Sequence, residues 1–195
     1  MIKILYTLLI LFPTILFSQL RDSVKIKTPI FEIIYSEIKE SPLFVKYHVE
    51  CPMGTTSRVS MNFYGNDSIH TSDDLDYINN IYDKGHMAPA ADFNCTKEML
   101  RETFTFLNCA LQNQYLNRGV WKMLEVQERL WSKNDDVDVT IEIKFNKTCR
   151  KLLTGATIPL GFYKTIKLKK KNKVYKYYFP NIKPVKDKFL YYQIK

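Results

Sequence analysis

An α+β fold, with a central antiparallel sheet and a few helices packed against it, is predicted from three features of the sequence. Thirteen Tyr and twelve Phe stand beside only six Gly, a balance that favours pleated, half-buried strands over loops. Short β-branched and aromatic runs recur along the chain between polar turn clusters. Only two segments carry the signals of helix starts and stops.

Taken in order, Pro29 to Ser36 and Leu43 to Cys51 read as antiparallel strands around the polar Glu37–Ser41 turn. Arg58 to Tyr64 reads as a third strand, stopped by Gly65-Asn66-Asp67. Asn66 to Asp76 is polar and acidic, and reads as a loop. Cys95 to Thr105 can form a short helix with Asn94 or Thr96 as its N-cap. Asn117-Arg118-Gly119 opens a second helix, Val120 to Lys133, with Trp121, Leu124 and Leu130 among its apolar positions; Asn134-Asp135-Asp136 stops it. Beyond it, Val137 to Phe145, Leu152 to Ile158, Phe162 to Lys169, Val174 to Phe179 and Phe189 to Ile194 read as strands.

The first eighteen residues read as a signal peptide, and residues 19–195 as a single domain with no repeat or long linker. Lys3 supplies a positive start, and Ile4 to Leu16 is an uncharged apolar run, shorter than the roughly 20 residues of a membrane span. Ser18 suits the cut before Gln19, although Leu16 is a poor fit where a small side chain is usual; an uncleaved anchor is the alternative. The expected location is therefore secreted or periplasmic, without stable membrane association once the leader is gone. Removal of the leader's one lysine leaves 28 basic against 20 acidic side chains, a net charge of +8. Such an excess attracts polyanions, nucleic acid and anionic membrane alike. Cys51, Cys95, Cys109 and Cys149 allow three connectivities for two disulfides, or free buried thiols; no C-x-x-C pair suggests structural zinc.

The chemistry concentrates in two stretches. One is Tyr82-Asp83-Lys84-Gly85-His86-Met87-Ala88-Pro89-Ala90-Ala91-Asp92; the other runs from Phe106 through Asn108, Gln112, Asn117, Gly119, Trp121 and Glu125 to Arg129. Hydrolysis of a phosphodiester needs a base for water, and positive charge for the phosphorus oxygens and the leaving oxygen. His86 offers a base of suitable pKa. Asn117 and Glu125 offer oxygen donors of the kind a hard divalent cation prefers. Lys84, Arg58 and Arg129 can hold phosphate oxygens.

Order and spacing sharpen this inventory. Asp83-Lys84-Gly85-His86, Asn108 to Gln112, Asn117-x-Gly119-x-Trp121-x-x-Leu124-Glu125 and Gln127-Glu128-Arg129 resemble the signature of the DNA/RNA non-specific endonucleases, nucleases with a ββα-metal finger. The resemblance extends upstream to Arg58-x-Ser60-x-x-Phe63, and more loosely to Pro159–Lys164 and Phe179-Pro180-Asn181. It implies a ββα finger as active site, with His86 as general base and Asn117 as the direct protein ligand of one Mg²⁺, or Mn²⁺ in its place. It also implies Glu125 orienting metal-bound water, Arg58 and Arg129 contacting phosphate, and Asn108 positioning the site. DNA and RNA are the implied substrates, met through a backbone that carries no base information. Lys84 departs from the family's Arg, keeping charge but losing bidentate geometry. Leu111 replaces a Pro, Phe104 stands where some members carry Asn, and the domain is short for the family.

Several residues have plainer readings. Asp83 is expected to be structural, Gly85 to allow a tight backbone conformation, and Trp121 and Leu124 to be core. Asp92 either supports the site from outside or makes a turn. His48 and His70 receive no function, and Asp73, Asp74 and Asp76 read as a solvated loop in preference to a cation site. Lys164, Lys167, Lys169, Lys170, Lys171, Lys173 and Lys176, interleaved with Tyr163, Tyr175 and Tyr177, form either an extension of a nucleic-acid groove or a solvated hairpin tip. The alternative functions are a catalytically weakened nucleic-acid-binding protein of the same fold, which Lys84 supports, and a toxin confined to one nucleic acid.

Overall fold

The computed structural model describes residues 19–51 and 53–195, so the expected leader lies outside the described residues. In chain order the elements are β1 (Val24–Lys27), β2 (Phe31–Ser36), β3 (Ser41–His48), β4 (Tyr82–His86), α1 (Lys97–Glu102), β5 (Cys109–Asn113), α2 (Gln114–Leu116), α3 (Lys122–Ser132), β6 (Val137–Lys144), β7 (Gly161–Leu168), β8 (Lys173–Pro180) and β9 (Gln193–Ile194). Seven strands form an antiparallel sheet in the order β1-β2-β3-β6-β7-β8-β9, while β4 and β5 make a separate hairpin. The α+β expectation holds.

Strict alternation sets the inner face of the sheet. Ile33, Tyr35, Val45, Tyr47, Val139, Ile141, Phe162, Lys164 and Ile166 are buried, and the residues that alternate with them face outward. Trp121 packs against Phe162 and Phe179, each with ring centroids 5.5 Å away. Helix α3 turns Leu124 and Glu128 inward, one turn apart, and leaves Leu130 exposed.

Glu128 thus occupies a core position, and its partner comes from the sheet. Lys164 shares the inward set of β7 with Phe162 and Ile166. Its Nζ lies 2.7 Å from Glu128 Oε1 with both side chains fully buried, at an angle that makes this a charge contact rather than an aligned hydrogen bond. The Tyr47 hydroxyl donates to Glu128 Oε2 at 3.0 Å, and the Lys164 ammonium sits 4.4 Å from the Trp121 ring centroid. Lys164 therefore belongs neither to a solvated tip nor to a groove.

Other expectations also require correction. Arg58 to Tyr64 is not a strand: the chain turns at Arg58–Met61, with Ser60 at φ 68, and Tyr64 makes only an isolated bridge to Thr105. Leu152 to Ile158 folds back on itself around Gly155, at φ 134, leaving one bridge between Lys151 and Thr157. In the Phe189 to Ile194 segment, Phe189–Tyr192 is a 3₁₀ turn and only Gln193–Ile194 pairs. A 3₁₀ turn brings residues three apart to one side, so Phe189 meets Tyr177 and Tyr192 meets Phe179. Asp76 is buried, accepting from Thr154 Oγ1 at 2.6 Å and from the Ala156 amide, while Asp73 and Asp74 are exposed. Cys51 and Cys95 form a disulfide; Cys109 and Cys149 are free thiols. His48 pairs with Asp138 at 2.8 Å and His70 with Glu40 at 3.0 Å.

Lys164→Met leaves the Glu128 charge alone in the core, and is expected to cost about 3–5 kcal/mol in urea unfolding. The Glu128→Leu/Lys164→Met pair should recover most of that loss. A loss below about 1 kcal/mol for the single variant would mean that the pair is not sealed from water.

Candidate active site

The hairpin of β4 and β5 pairs His86 with Cys109 and Asp83 with Gln112. The chain then makes α2, kinks at Gly119 (φ −103, ψ −117) and continues into α3. This is the strand-strand-helix finger expected from the motif. Gly85 is required by a neighbour rather than by an unusual backbone angle. A Cβ there would lie 2.4 Å from the Gln112 Cβ and 2.5 Å from its Oε1.

Asn108 is wholly buried and outside the cavity. Its Nδ2 donates to the Ala88 carbonyl at 2.8 Å and the Thr103 carbonyl at 3.0 Å, and its Oδ1 accepts from the Ala88 amide at 2.8 Å. These bonds fix the chain just after His86. The His86 ring is half-buried between Phe63 and Phe104, with centroids 5.0 and 5.1 Å away. Burial, then the nearby Arg58 charge, push its pKa down to about 4, against a hydrogen bond to the Lys84 main chain that raises it. The imidazole is therefore neutral at pH 7. Its Nε2 is buried and meets no hydrogen-bond partner among the described residues.

Asp83 organises the other side. Asn117 Nδ2 donates to Asp83 Oδ2 at 2.8 Å, and Arg118 grips the same carboxylate through Nε at 2.9 Å and Nη2 at 2.6 Å. With its amide nitrogen held, Asn117 keeps its carbonyl oxygen as the group available to an outside partner. Glu125 is half-buried; burial pushes its carboxyl up to about 7, with Lys164 pulling it down and Glu128 raising it. Arg129 Nη1 donates to Asp92 Oδ1 at 2.7 Å. Burial and the neighbouring Glu128 push the Asp92 carboxyl up, while Arg129 restrains it. Asp92 thus supports the site from beneath rather than merely turning the chain.

These groups surround a cavity of about 240 Å³ whose lining includes Arg58, His86, Asn117, Arg118, Lys122, Glu125 and Arg129. Of the seven site residues expected from sequence, five meet here: Arg58, His86, Asn117, Glu125 and Arg129. Asn108 acts from behind, and Lys84 is turned away. The Lys84 ammonium pairs with Asp74 and lies over the rings of Phe63, Tyr77 and Phe106, at 5.1, 5.8 and 5.4 Å. The Phe63 ring touches both this ammonium and His86. Lys84 thus does not line the cavity in which the other expected phosphate-binding cations, Arg58 and Arg129, meet. Sequence reasoning missed Arg118 and Lys122, which occupy variable positions of the motif and carry no signal beyond their charge.

The donor set suits a hard, largely hydrated cation such as Mg²⁺: one amide carbonyl and a nearby carboxylate, both oxygen donors. Among the described residues no cluster of three or more His, Cys, Asp or Glu forms a closed metal cage.

Because the folded ring of His86 titrates near 4 instead of 6.5, the unfolded chain binds a proton between those values that the folded chain refuses. The stability from burying a neutral ring is complete above pH 6.5 and is lost as pH falls toward 4. In metal-free protein, the unfolding free energy of wild type relative to His86→Asn should rise by about 2 kcal/mol from pH 4 to pH 7, allowing for partial exposure. A flat difference, measured by urea titration at each pH, would contradict the burial of this ring.

Comparison with known proteins accords with this geometry. Residues 17–193 match the family model of the DNA/RNA non-specific endonucleases. The mitochondrial nuclease EXOG of Danio rerio is 31% identical over 109 residues, covering 53% of this chain and 32% of that protein. Mitochondrial endonuclease G of Bos taurus is 33% identical over 79 residues, covering 39% and 26%. A nuclease of Syncephalastrum racemosum is 45% identical over 51 residues, covering 26% and 16%. The matched stretches span about a third or less of these relatives' length. A solved EndoG/EndoGI complex superposes with a TM-score of 0.77 at 24% identity, over 92% of this chain and 82% of that one, which is a likeness of fold. With nearly the whole described chain matched by its model, this protein belongs to the DNA/RNA non-specific endonuclease family.

Proposed function

We propose that the chain is an exported endonuclease that hydrolyses phosphodiester bonds of DNA and RNA without regard to sequence, as one domain over residues 19–195. The observation that carries this reading is a histidine whose Nε2 meets no hydrogen-bond partner among the described residues and which lines one cavity with the Asn117 amide and four cations; burial and the Arg58 charge keep its ring neutral at pH 7. A neutral imidazole can take a proton from water, and the Phe63 and Phe104 rings beside it limit its movement. Arg58, Arg118, Lys122 and Arg129 supply positive charge for phosphate oxygens. Asp92 holds one of these, Arg129, against the charge it meets. Asn117 would hold Mg²⁺, with Glu125 orienting water around it; when bound, the ion supplies charge neutralisation at phosphorus and leaving oxygens. Contacts of this kind fall on the backbone, which accounts for indifference to base and sugar.

Export is supported by the leader-like residues 1–18 and by the Cys51–Cys95 disulfide, a bond typical of oxidising compartments. Among the described residues no helix is long and apolar enough to cross a membrane.

Digestion of plasmid DNA and total RNA, with Mg²⁺ and with EDTA, beside His86→Ala, tests the reading. Metal-dependent loss of both substrates, reduced at least a hundred-fold in the variant, is the expected result. Binding without cleavage by the wild-type protein would overturn the enzyme in favour of a nucleic-acid-binding protein.

A further inference from the structure

Among the described residues, the seven-stranded sheet packs one face on the core and α3 and leaves the other largely exposed. On that outer face Phe44, Glu142, Tyr163 and Tyr178 stand side by side across β3, β6, β7 and β8. About 7 Å further along the strands, Lys46, Thr140, Thr165 and Lys176 form the next row. His48, Asp138, Lys167 and Val174 form a third. The Tyr163 and Tyr178 rings pair at 4.6 Å, with Tyr163 exposed. Lys46, Lys167 and Lys176 are exposed and have no carboxylate partner among the described residues. Of the carboxylates on this face, Asp138 is engaged by His48 and Lys169 and Glu32 by Lys27, while Glu142 in the first row is exposed with no cation partner among the described residues. The third row runs into a depression of about 280 Å³ whose lining holds Lys27, Lys46 and Lys169 together with the carboxylates of Glu32, Glu50 and Asp138.

Flat rings beside unpaired lysines offer two things together, a π surface for a base and charge for a phosphate. A duplex hides its base faces, whereas a single strand presents them. We propose that this open sheet face is a second nucleic-acid-binding surface, specific for single strands. Unpaired bases stack on Tyr163 and Tyr178, and the phosphates pass along Lys176, Lys167 and Lys46 toward the depression. The surface lies across the sheet from α3 and the cavity, so it tethers a long substrate rather than cutting it. Its use rests on nucleic acid being the substrate, but its existence is read by binding alone.

The test is fluorescence anisotropy of a labelled oligothymidylate, and of a duplex of equal length, with the protein in EDTA. Tyr163→Ala/Tyr178→Ala should weaken single-strand binding about ten-fold or more and leave duplex binding unchanged. Lys46→Gln/Lys167→Gln/Lys176→Gln should lower the salt slope for the single strand by about 2. Both variants should keep the wild-type unfolding midpoint. Wild-type single-strand affinity in both variants overturns the proposal, as does an equal loss on duplex. If the wild-type protein cuts nothing but the tyrosine variant loses the single strand, the surface stands and the nuclease reading falls. If cleavage is intact and single-strand binding is unaltered, only the surface falls.

Discussion

A buried charge pair, Glu128 with Lys164 at 2.7 Å, decides where helix α3 lies on the sheet. Neither charge can be left alone in the core, since removing one partner of such a pair is far costlier than the pair is worth. Sliding or rotating α3 by one residue would separate them and also strip Glu128 of the Tyr47 hydroxyl. The helix is therefore held in one register. Glu125 and Arg129, on either side of Glu128, inherit that register and reach the cavity together. The pair also acts through space: Lys164 draws the Glu125 carboxyl down while Glu128 raises it.

The other half of the site is held by neutral and charged hydrogen bonds around the hairpin. Asn108 ties down the residues after His86, and Asp83 turns the Asn117 amide while gripping Arg118. His86 and Asn117 thus come from separate elements, each fixed by a residue that does not line the cavity. What remains open in the cavity is a neutral ring nitrogen, an amide oxygen and a rim of cations. Such a rim of cations suits the phosphate backbone that the proposed function assigns as its target.

Much of this was legible through the family resemblance rather than through residue patterning. Residues 83 to 86 and 109 to 112 pair as a hairpin, and a helix follows Asn117 from Lys122, as the resemblance to the ββα-metal finger nucleases implied. Charge identity was less informative than face. Lys164 sits in a run of lysines, yet Phe162, Lys164, Ile166 and Leu168 share one parity and all point inward. That alternation was readable, and it outweighs composition. Lys84 could not be resolved this way. It shares the side of β4 that bears His86, and only the fold reveals Phe63 touching both and Asp74 within reach. The failed strands at residues 58–64, 152–158 and 189–194 have suitable residue types, but left-handed turns at Ser60 and Gly155 and a 3₁₀ turn at Phe189–Tyr192 override them. Arg118 was invisible as a site residue, because its partner Asp83 lies 35 residues earlier.

The most direct check is Mn²⁺ binding to the purified protein, followed by water-proton relaxation, in wild type, Asn117→Ala and His86→Ala. If the Asn117 carbonyl is the cation's protein ligand and His86 only the base, wild type and His86→Ala should bind with similar affinity. Asn117→Ala should then bind at least ten-fold more weakly. Undiminished binding by Asn117→Ala, or its loss in His86→Ala, would contradict that division of roles.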